Sequence, residues 1–233
     1  MISIIIPAHN EVKYLAETLK HIQRLSYPKT SYEVLVIENG SNDDTYALAK
    51  KFENENIKVF SIETRGVSKA KNFGIKNISN KSDWVIFLDA DTILQPDFLT
   101  ELDAYLQMNK DKNLSIGTTS VKPFENKSLY ARLWMRFYDF CHWLTKSSYS
   151  IQIAKSSLVN KIKFNEKMHL AEDLQFIKDC RKYGKFFYFN TDYVLTSTRR
   201  FEKIGWFRLF VKWTTDALMW RLKDPEQDYP VIR

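Results

Sequence analysis

Two textures alternate along the first 122 residues: short runs of apolar residues, and stretches in which apolar residues return every three or four positions. The apolar runs, at residues 2–6, 34–37, 59–62 and 85–88, predict buried parallel strands. The spaced stretches predict helices. One covers residues 12–25. A second follows Ser41, Asn42 and Asp43, which offer N-caps, and carries Ala47, Leu48 and Phe52. A third carries Val67, Ala70, Phe73, Gly74 and Ile78, and Pro96 opens a fourth with Phe98, Leu99, Leu102 and Leu106 on one face. Strand–helix alternation of this kind predicts right-handed crossovers and an α/β fold, a mostly parallel Rossmann-like sheet flanked by helices.

In such sheets ligands bind beyond the carboxyl ends of the strands. That rule selects residues 7–11, 38–41, 64–66 and 89–91, where the polar and charged side chains gather. The second half differs. Residues 129–144, rich in Trp, Tyr and Phe, predict a helix; 151–153 and 186–189 predict strands; 171–183 predict a helix ended by Gly184. The longest helical stretch runs over residues 201–222, stopped by Pro225. With no internal repeat, low-complexity tract or flexible linker, the chain does not divide into independent folding units.

Charge separates the halves further. Residues 1–122 carry a net −1 and residues 123–233 a net +8, so the whole excess of +7 lies in the second half. Such a field attracts phosphates, nucleic acid or anionic lipid. No nucleic-acid-binding motif is present. Cys141 and Cys180 have no CxxC spacing and read as thiols of a reducing compartment. The chain begins directly with a strand-like run, and no apolar run approaches the length that spans a bilayer, which predicts a cytoplasmic protein. Between Arg199 and Lys223 seven basic residues meet two acidic ones. Ile204, Phe207, Val211 and Leu218 fall on one helical side, the pattern of a helix lying on anionic lipid.

The most informative stretch is WVIFLDAD. Side chains two apart on an extended segment point the same way, so Asp89 and Asp91 can face one ligand. Paired carboxylates suit Mg²⁺ or Mn²⁺, with substrate phosphates and water completing the shell. A bare DxD is more often a helix-capping or solvent-facing loop; its placement at a strand end favours the metal. VIFLDADT also looks like the nucleophile motif of haloacid-dehalogenase-type phosphatases, which follow the first strand with hhhDxDGT. Here the stretch ends the fourth strand and Thr92 follows Asp91. A metal-dependent phosphohydrolase and a non-enzymatic membrane-binding module are the competing readings.

IIIPAHNE, VIENGSNDDT, ETRGVSKAKNFGI, FLDAD and the later AED, in that order and spacing, resemble family 2 of the inverting glycosyltransferases, whose fold is the glycosyltransferase A type. The resemblance covers roughly residues 1–200. It implies a catalytic domain over 1–200, with a nucleotide-sugar-binding half at 1–122 and an acceptor half at 123–200, followed by a basic amphipathic segment at 201–233. It implies that Pro7, Ala8 and Glu11 line the nucleobase and ribose pocket, and that Glu38 or Asn39 meets the base edge. Family members usually carry an aspartate pair there, so Glu38-Asn39 is a departure. Arg65 would approach the base or ribose, and Lys71-Asn72 stands where the family often has Arg-Asn. Asp89, Ala90 and Asp91 would meet the donor, with Asp91 and Asp89 on a Mn²⁺ or Mg²⁺ ion. Asp173 would be the general base and Glu172 would position the acceptor; acidic residues are also favoured at a helix start for its dipole alone. Arg199 and Arg200 would grip a diphosphate or a lipid-linked phosphate. The implied reaction moves a sugar, with inversion, from a nucleoside-diphosphate sugar (UDP-linked) to a hydroxyl of a lipid-linked or glycan acceptor. Simpler roles exist for several of these residues: Asn10 and Ser41 as N-caps, Gly40 as a turn residue, Glu38 as a surface residue.

Overall fold

The computed structural model describes residues 1–168 and 171–220. In chain order the elements are β1 (Ile2–Ala8), α1 (Leu15–Gln23), β2 (Tyr32–Asn39), α2 (Thr45–Lys50), β3 (Ile57–Ile62), α3 (Val67–Asn77), β4 (Trp84–Leu88), β5 (Thr92–Leu94) and α4 (Phe98–Met108). Then come β6 (Leu114–Thr119), β7 (Lys122–Pro123), α5 (Leu129–Thr145), β8 (Ile151–Lys155), α6 (Ser156–Val159), α7 (Glu172–Cys180), β9 (Lys185–Phe189), β10 (Val194–Thr196), α8 (Arg199–Ile204) and α9 (Trp206–Trp220).

A seven-stranded sheet runs β3-β2-β1-β4-β8-β6-β9. β1 pairs in parallel with β2 and β4, β2 with β3, and β6 with β9; β8 alone in this sheet runs against its neighbours β4 and β6. The sheet is thus mostly parallel, as expected, and strands from both halves of the sequence share it. Successive residues of a strand face opposite sides. Ile4 and Ile6 of β1 therefore pack with Leu15 and Leu19 of α1, Ala49 of α2 and Leu102 of α4. Ile5 packs on the other face with Ala70 and Ile75 of α3 and Phe176 of α7. α3 approaches so closely that a methyl group on Gly74 would sit 2.5 Å from Ile5 Cγ2. A third cluster joins Met135 and Tyr138 of α5 to Phe201 of α8 and Trp206 and Leu209 of α9. β5, β10 and β7 form a separate three-stranded sheet, with Thr196 of β10 opposite Thr92 of β5.

Several boundaries differ from the sequence pattern. The first helix starts at Leu15, because the Glu11 carbonyl first closes a turn with the N–H groups of Tyr14 and Leu15. Asn10 and Ser41 are not helix caps. The Asn10 N–H donates to Ser41 Oγ (3.0 Å) and the Asn42 N–H to Asn10 Oδ1 (2.7 Å), so the two side chains tie the β1 and β2 loops together. The helix expected over 201–222 is two helices, broken at Gly205, whose φ of +94° no helix accommodates. Arg221, Lys223 and Pro225, and with them the end of the expected amphipathic segment, lie outside the described residues. Among the described residues no helix is long and apolar enough to cross a membrane.

Candidate active site

The carboxyl ends of β1, β2 and β4 meet at one edge of the sheet. At the end of β1, Pro7 and Ala8 are buried, the backbone turns at Asn10 (φ +52°), and the Glu11 N–H donates to Thr45 Oγ1 (2.8 Å). At the end of β2, Glu38 is buried rather than on the surface. Its carboxylate accepts from the Ser41 N–H (2.5 Å) and from Ser61 Oγ (2.5 Å), joining β2 to β3. Asn39 is as deeply buried: its amide donates to the Ala8 carbonyl (3.1 Å) and accepts from the Gly66 N–H (3.2 Å), while its own carbonyl accepts from His9 Nδ1 (2.7 Å). The Glu-Asn pair therefore clamps three strand-end loops. Gly40 supplies the turn, with φ +66°, and a Cβ there would lie 2.9 Å from the Glu63 carbonyl. Arg65 is exposed beside it.

The acidic turn after β4 is fixed from every side. The Asp89 N–H donates to the Ser150 carbonyl (2.9 Å), Thr18 Oγ1 donates to the Ala90 carbonyl (2.8 Å), and the Ser197 N–H donates to the Asp91 carbonyl (3.2 Å). The hydroxyls of Thr92 and Thr196 lie 2.9 Å apart. The chain leaving β10 then delivers Arg199, whose Nη2 is 2.7 Å from Glu11 Oε1 and 3.0 Å from Asp91 Oδ2, with the guanidinium 4.2 Å above the Tyr14 ring. Glu125 holds this approach in place, accepting from Ser197 Oγ and from the Thr198 N–H, both at 2.8 Å.

Crowded charge sets the electrostatics. Burial, and after it the charge of Asp91, pushes the Asp89 carboxyl up to about 6 against the pull of Lys71 and Arg200. Asp89 is nonetheless reachable by solvent on its outer side. Asp91 is raised chiefly by burial, against the opposing charge of Arg199. Burial works to lower Arg199, but the Glu11 hydrogen bond and the Asp91 charge hold it above its usual value. Glu11 Oε2 is buried with no hydrogen-bond partner. No three His, Cys, Asp or Glu residues among those described form a complete protein cage for a metal. Two mutually repelling aspartates fit instead an ion whose remaining ligands come from substrate phosphates and water.

Across the sheet edge, α7 brings Glu172 and Asp173 to Lys71 of α3. Lys71 is buried, with Nζ 2.5 Å from Asp173 Oδ1, 4.0 Å from Glu172 Oε1 and 4.8 Å from the Phe164 ring centre. Burial would strip its proton, yet the charges of Asp173, Glu172 and Asp89 outweigh that and raise its pKa. Glu172 is the more enclosed carboxylate, pushed up to about 7 by burial and by the Asp173 charge. Asp173 is a third exposed and so open to a ligand. Ala171, in a left-handed conformation (φ +60°), turns the chain into α7. Asn72 does not face the site: its amide bonds both backbone groups of Phe164 (2.9 Å each) and Glu166 Oε1 (2.8 Å), anchoring the segment before α7.

The structure therefore gathers Glu11, Asp89, Asp91, Arg199, Lys71, Glu172 and Asp173 into one charged network, with Arg200 exposed at its border. Sequence reading did not find Glu125, Tyr14 or Gln152. Buried Gln152 on β8 donates to the Asp173 carbonyl (3.4 Å) and to Ser148 Oγ (2.8 Å). Each belongs to the site only through contacts distant in sequence, so no local signal marks them.

Residues 3–167 match the family model described as glycosyl transferase family 2. Among curated proteins, the chain is 32% identical over 122 residues to the poly(ribitol-phosphate) beta-N-acetylglucosaminyltransferase TarS of Staphylococcus aureus, a match covering 51% of this chain and 21% of TarS. It is 37% identical over 134 residues to the dolichyl N-acetyl-alpha-D-glucosaminyl phosphate 3-beta-D-2,3-diacetamido-2,3-dideoxy-beta-D-glucuronosyltransferase of Methanococcus voltae, covering 54% of this chain and 41% of that protein. The match thus spans less than half the length of these relatives. Among solved structures, S. aureus TarS in complex with UDP-GlcNAc superposes with a TM-score of 0.68 at 22% identity, covering 84% of this chain and 58% of that one. The mannosyltransferase PcManGT from Pyrobaculum calidifontis, in complex with GDP-Man and Mn²⁺, gives 0.64 at 18% identity, covering 92% and 64%.

Proposed function

The chain belongs to glycosyl transferase family 2 and has a glycosyltransferase A-type fold, and from that premise we propose that it is an inverting transferase. It moves a sugar from a nucleoside-diphosphate sugar, UDP-linked, to a hydroxyl of a lipid-linked or glycan acceptor. The observation that carries this reading is the meeting, at the ends of β1 and β4, of the Asp89–Asp91 pair with Arg199 on one side and the Lys71–Asp173 pair on the other. The phosphohydrolase and purely membrane-binding readings give way to the family match.

Each residue then has a task. Pro7, Ala8, Arg65 and the loops clamped by Glu38 and Asn39 form the nucleoside side. Arg199 and Arg200 receive the diphosphate with forked, charge-assisted hydrogen bonds. Asp91 and Asp89 hold Mn²⁺ or Mg²⁺, which when bound supplies positive charge to the departing diphosphate. Asp173 takes the proton of the acceptor hydroxyl as its oxygen bonds to the anomeric carbon and the diphosphate leaves from the opposite side; a single displacement inverts that carbon. A carboxylate suffices because the proton departs as the bond forms. Lys71 fixes the orientation of Asp173, and Glu172 borders the acceptor. The UDP assignment draws support from the likeness to TarS bound to UDP-GlcNAc; PcManGT, also similar in fold, is bound to GDP-Man, so nucleotide titration distinguishes the two bases. The basic second half, including the segment from residue 201 onward, supports work at the cytoplasmic face of a membrane.

A thermal-shift titration with UDP, GDP and UMP, each with and without Mn²⁺, tests the reading, since a ligand selective for the folded state raises the melting temperature. A Mn²⁺-dependent rise with one nucleoside diphosphate, absent in Asp91→Ala, is the expected result. No rise with any nucleotide would overturn the donor assignment.

A further inference from the structure

Helix α5 is apolar on both sides. Its inner side, Ala131, Met135 and Tyr138, packs against α8 and α9. Its outer side presents Leu129, Leu133, Phe137, Phe140, Trp143 and Leu144, most of them more than half exposed. At 100° per residue these six fall within an arc of about 120°. Arg136 lies inside that arc and Arg132 at its border, both exposed. The one acidic residue of the helix, Asp139, is turned away, accepting from the Val121 N–H (3.1 Å) and the Tyr149 hydroxyl (3.3 Å). Phe137 also meets Phe210 of α9 (5.1 Å between ring centres), and that helix exposes Phe207 and Val211. An exposed apolar face of this kind marks an interaction site.

We propose that the outer face of α5, extended by Phe207 and Val211 of α9, seats the protein on an anionic bilayer surface. Charge selects this occupant. The face carries arginines and no acid, within a half-chain of net +8. A second copy docked about a two-fold axis would bring both copies' arginines into one interface with no carboxylate on the face to receive them. In the interfacial zone of a membrane, the aliphatic and aromatic groups enter the acyl boundary, Trp143 suits the headgroup level, and the arginine stems lie along apolar surface with their heads among lipid phosphates. The seat is also coupled to the site: β7 leads into α5 and pairs with β10, the strand that ends just before Arg199. A bilayer under α5 would hold the candidate active site at a fixed height. The inference is independent of the donor assignment, so the two can fail separately.

The test is flotation of the 233-residue chain with vesicles of phosphatidylcholine alone, or of phosphatidylcholine mixed with phosphatidylglycerol, at low salt. Binding to the anionic vesicles is expected. Phe140→Glu with Leu144→Glu, both at exposed positions, should weaken it at least about tenfold without lowering the melting temperature. Arg132→Gln with Arg136→Gln should weaken anionic-vesicle binding by about fivefold per arginine. Three results would overturn the proposal. The unaltered chain does not float with anionic vesicles. The α5 glutamate variant floats as well as the unaltered chain. Or sedimentation equilibrium shows a dimer that Phe140→Glu dissociates, which gives the face to a second copy. Nucleotide thermal shifts on the same variants report the donor site separately.

Discussion

Arg199 stands 3.0 Å from Asp91, so the cation of the second half of the chain neutralises the carboxylate proposed to hold a metal. The two roles compete for the same oxygen. Arg199→Gln should therefore bind Mn²⁺ better, seen as a larger Mn²⁺-induced rise in melting temperature than in the unaltered protein. The same variant should bind UDP about tenfold more weakly, having lost a charge-assisted contact to phosphate. Equal Mn²⁺ shifts in the two proteins would mean that Arg199 and the ion do not share Asp91.

Asp173 can be removed chemically with little change of shape. Asp173→Asn should lower turnover about 100-fold or more and leave the UDP-induced thermal shift intact. Loss of both together would assign Asp173 a structural role through Lys71.

Glu172 makes stability depend on pH with a definite sign. An unfolded glutamate ionises near 4.5, and in the fold this one does so at about 7. Between those values the folded state keeps a proton that the unfolded state has lost. Its contribution is therefore fully present below about pH 4.5 and is lost as the pH rises toward 7. Glu172→Gln should flatten this decline and melt about 2–4 °C higher than the unaltered protein above pH 7. Asp89, raised to about 6 by burial, leaves a residual slope of the same sign. Melting curves from pH 5 to about 8 measure it; a slope unchanged in the variant would remove Glu172 as its source.

Gly74→Ala should destabilise by about 1–3 kcal/mol, because the added methyl meets Ile5. Combining it with Ile5→Ala should cost less than the sum of the two single changes, which denaturant titration of all three variants measures.

Much of this architecture can be read before any coordinates. The four apolar runs are β1 to β4: β1, β2 and β4 are buried on both faces and need no polar alternation, while β3 at the sheet edge exposes Lys58 and Ser61; the strand-end rule located Glu11, Asp89 and Asp91. Strand β6 escaped notice because LSIGTT mixes small and hydroxylated residues; its burial comes from neighbours far along the chain. β5 and β10 are three residues each, too short for any period to appear. Asn10 and Ser41 have the chemistry of caps, but the nearest N–H groups belong to each other's loops. The Lys71–Asp173 pair depends on how α7 lies against α3, and neither sequence segment contains that information.

The small sheet of β5, β10 and β7 has one more effect. Thr92 and Thr196 lie opposite each other, Asp91 precedes one, and Ser197 and Arg199 follow the other. The separation of aspartate and arginine is thus written into a two-strand register, which β7 and Glu125 of the intervening chain support. Loops and helices between the two strands can lengthen, shorten or change composition while that register persists. Under the proposed function, the segments that meet the acceptor could change while the Asp91–Arg199 pair stays in place.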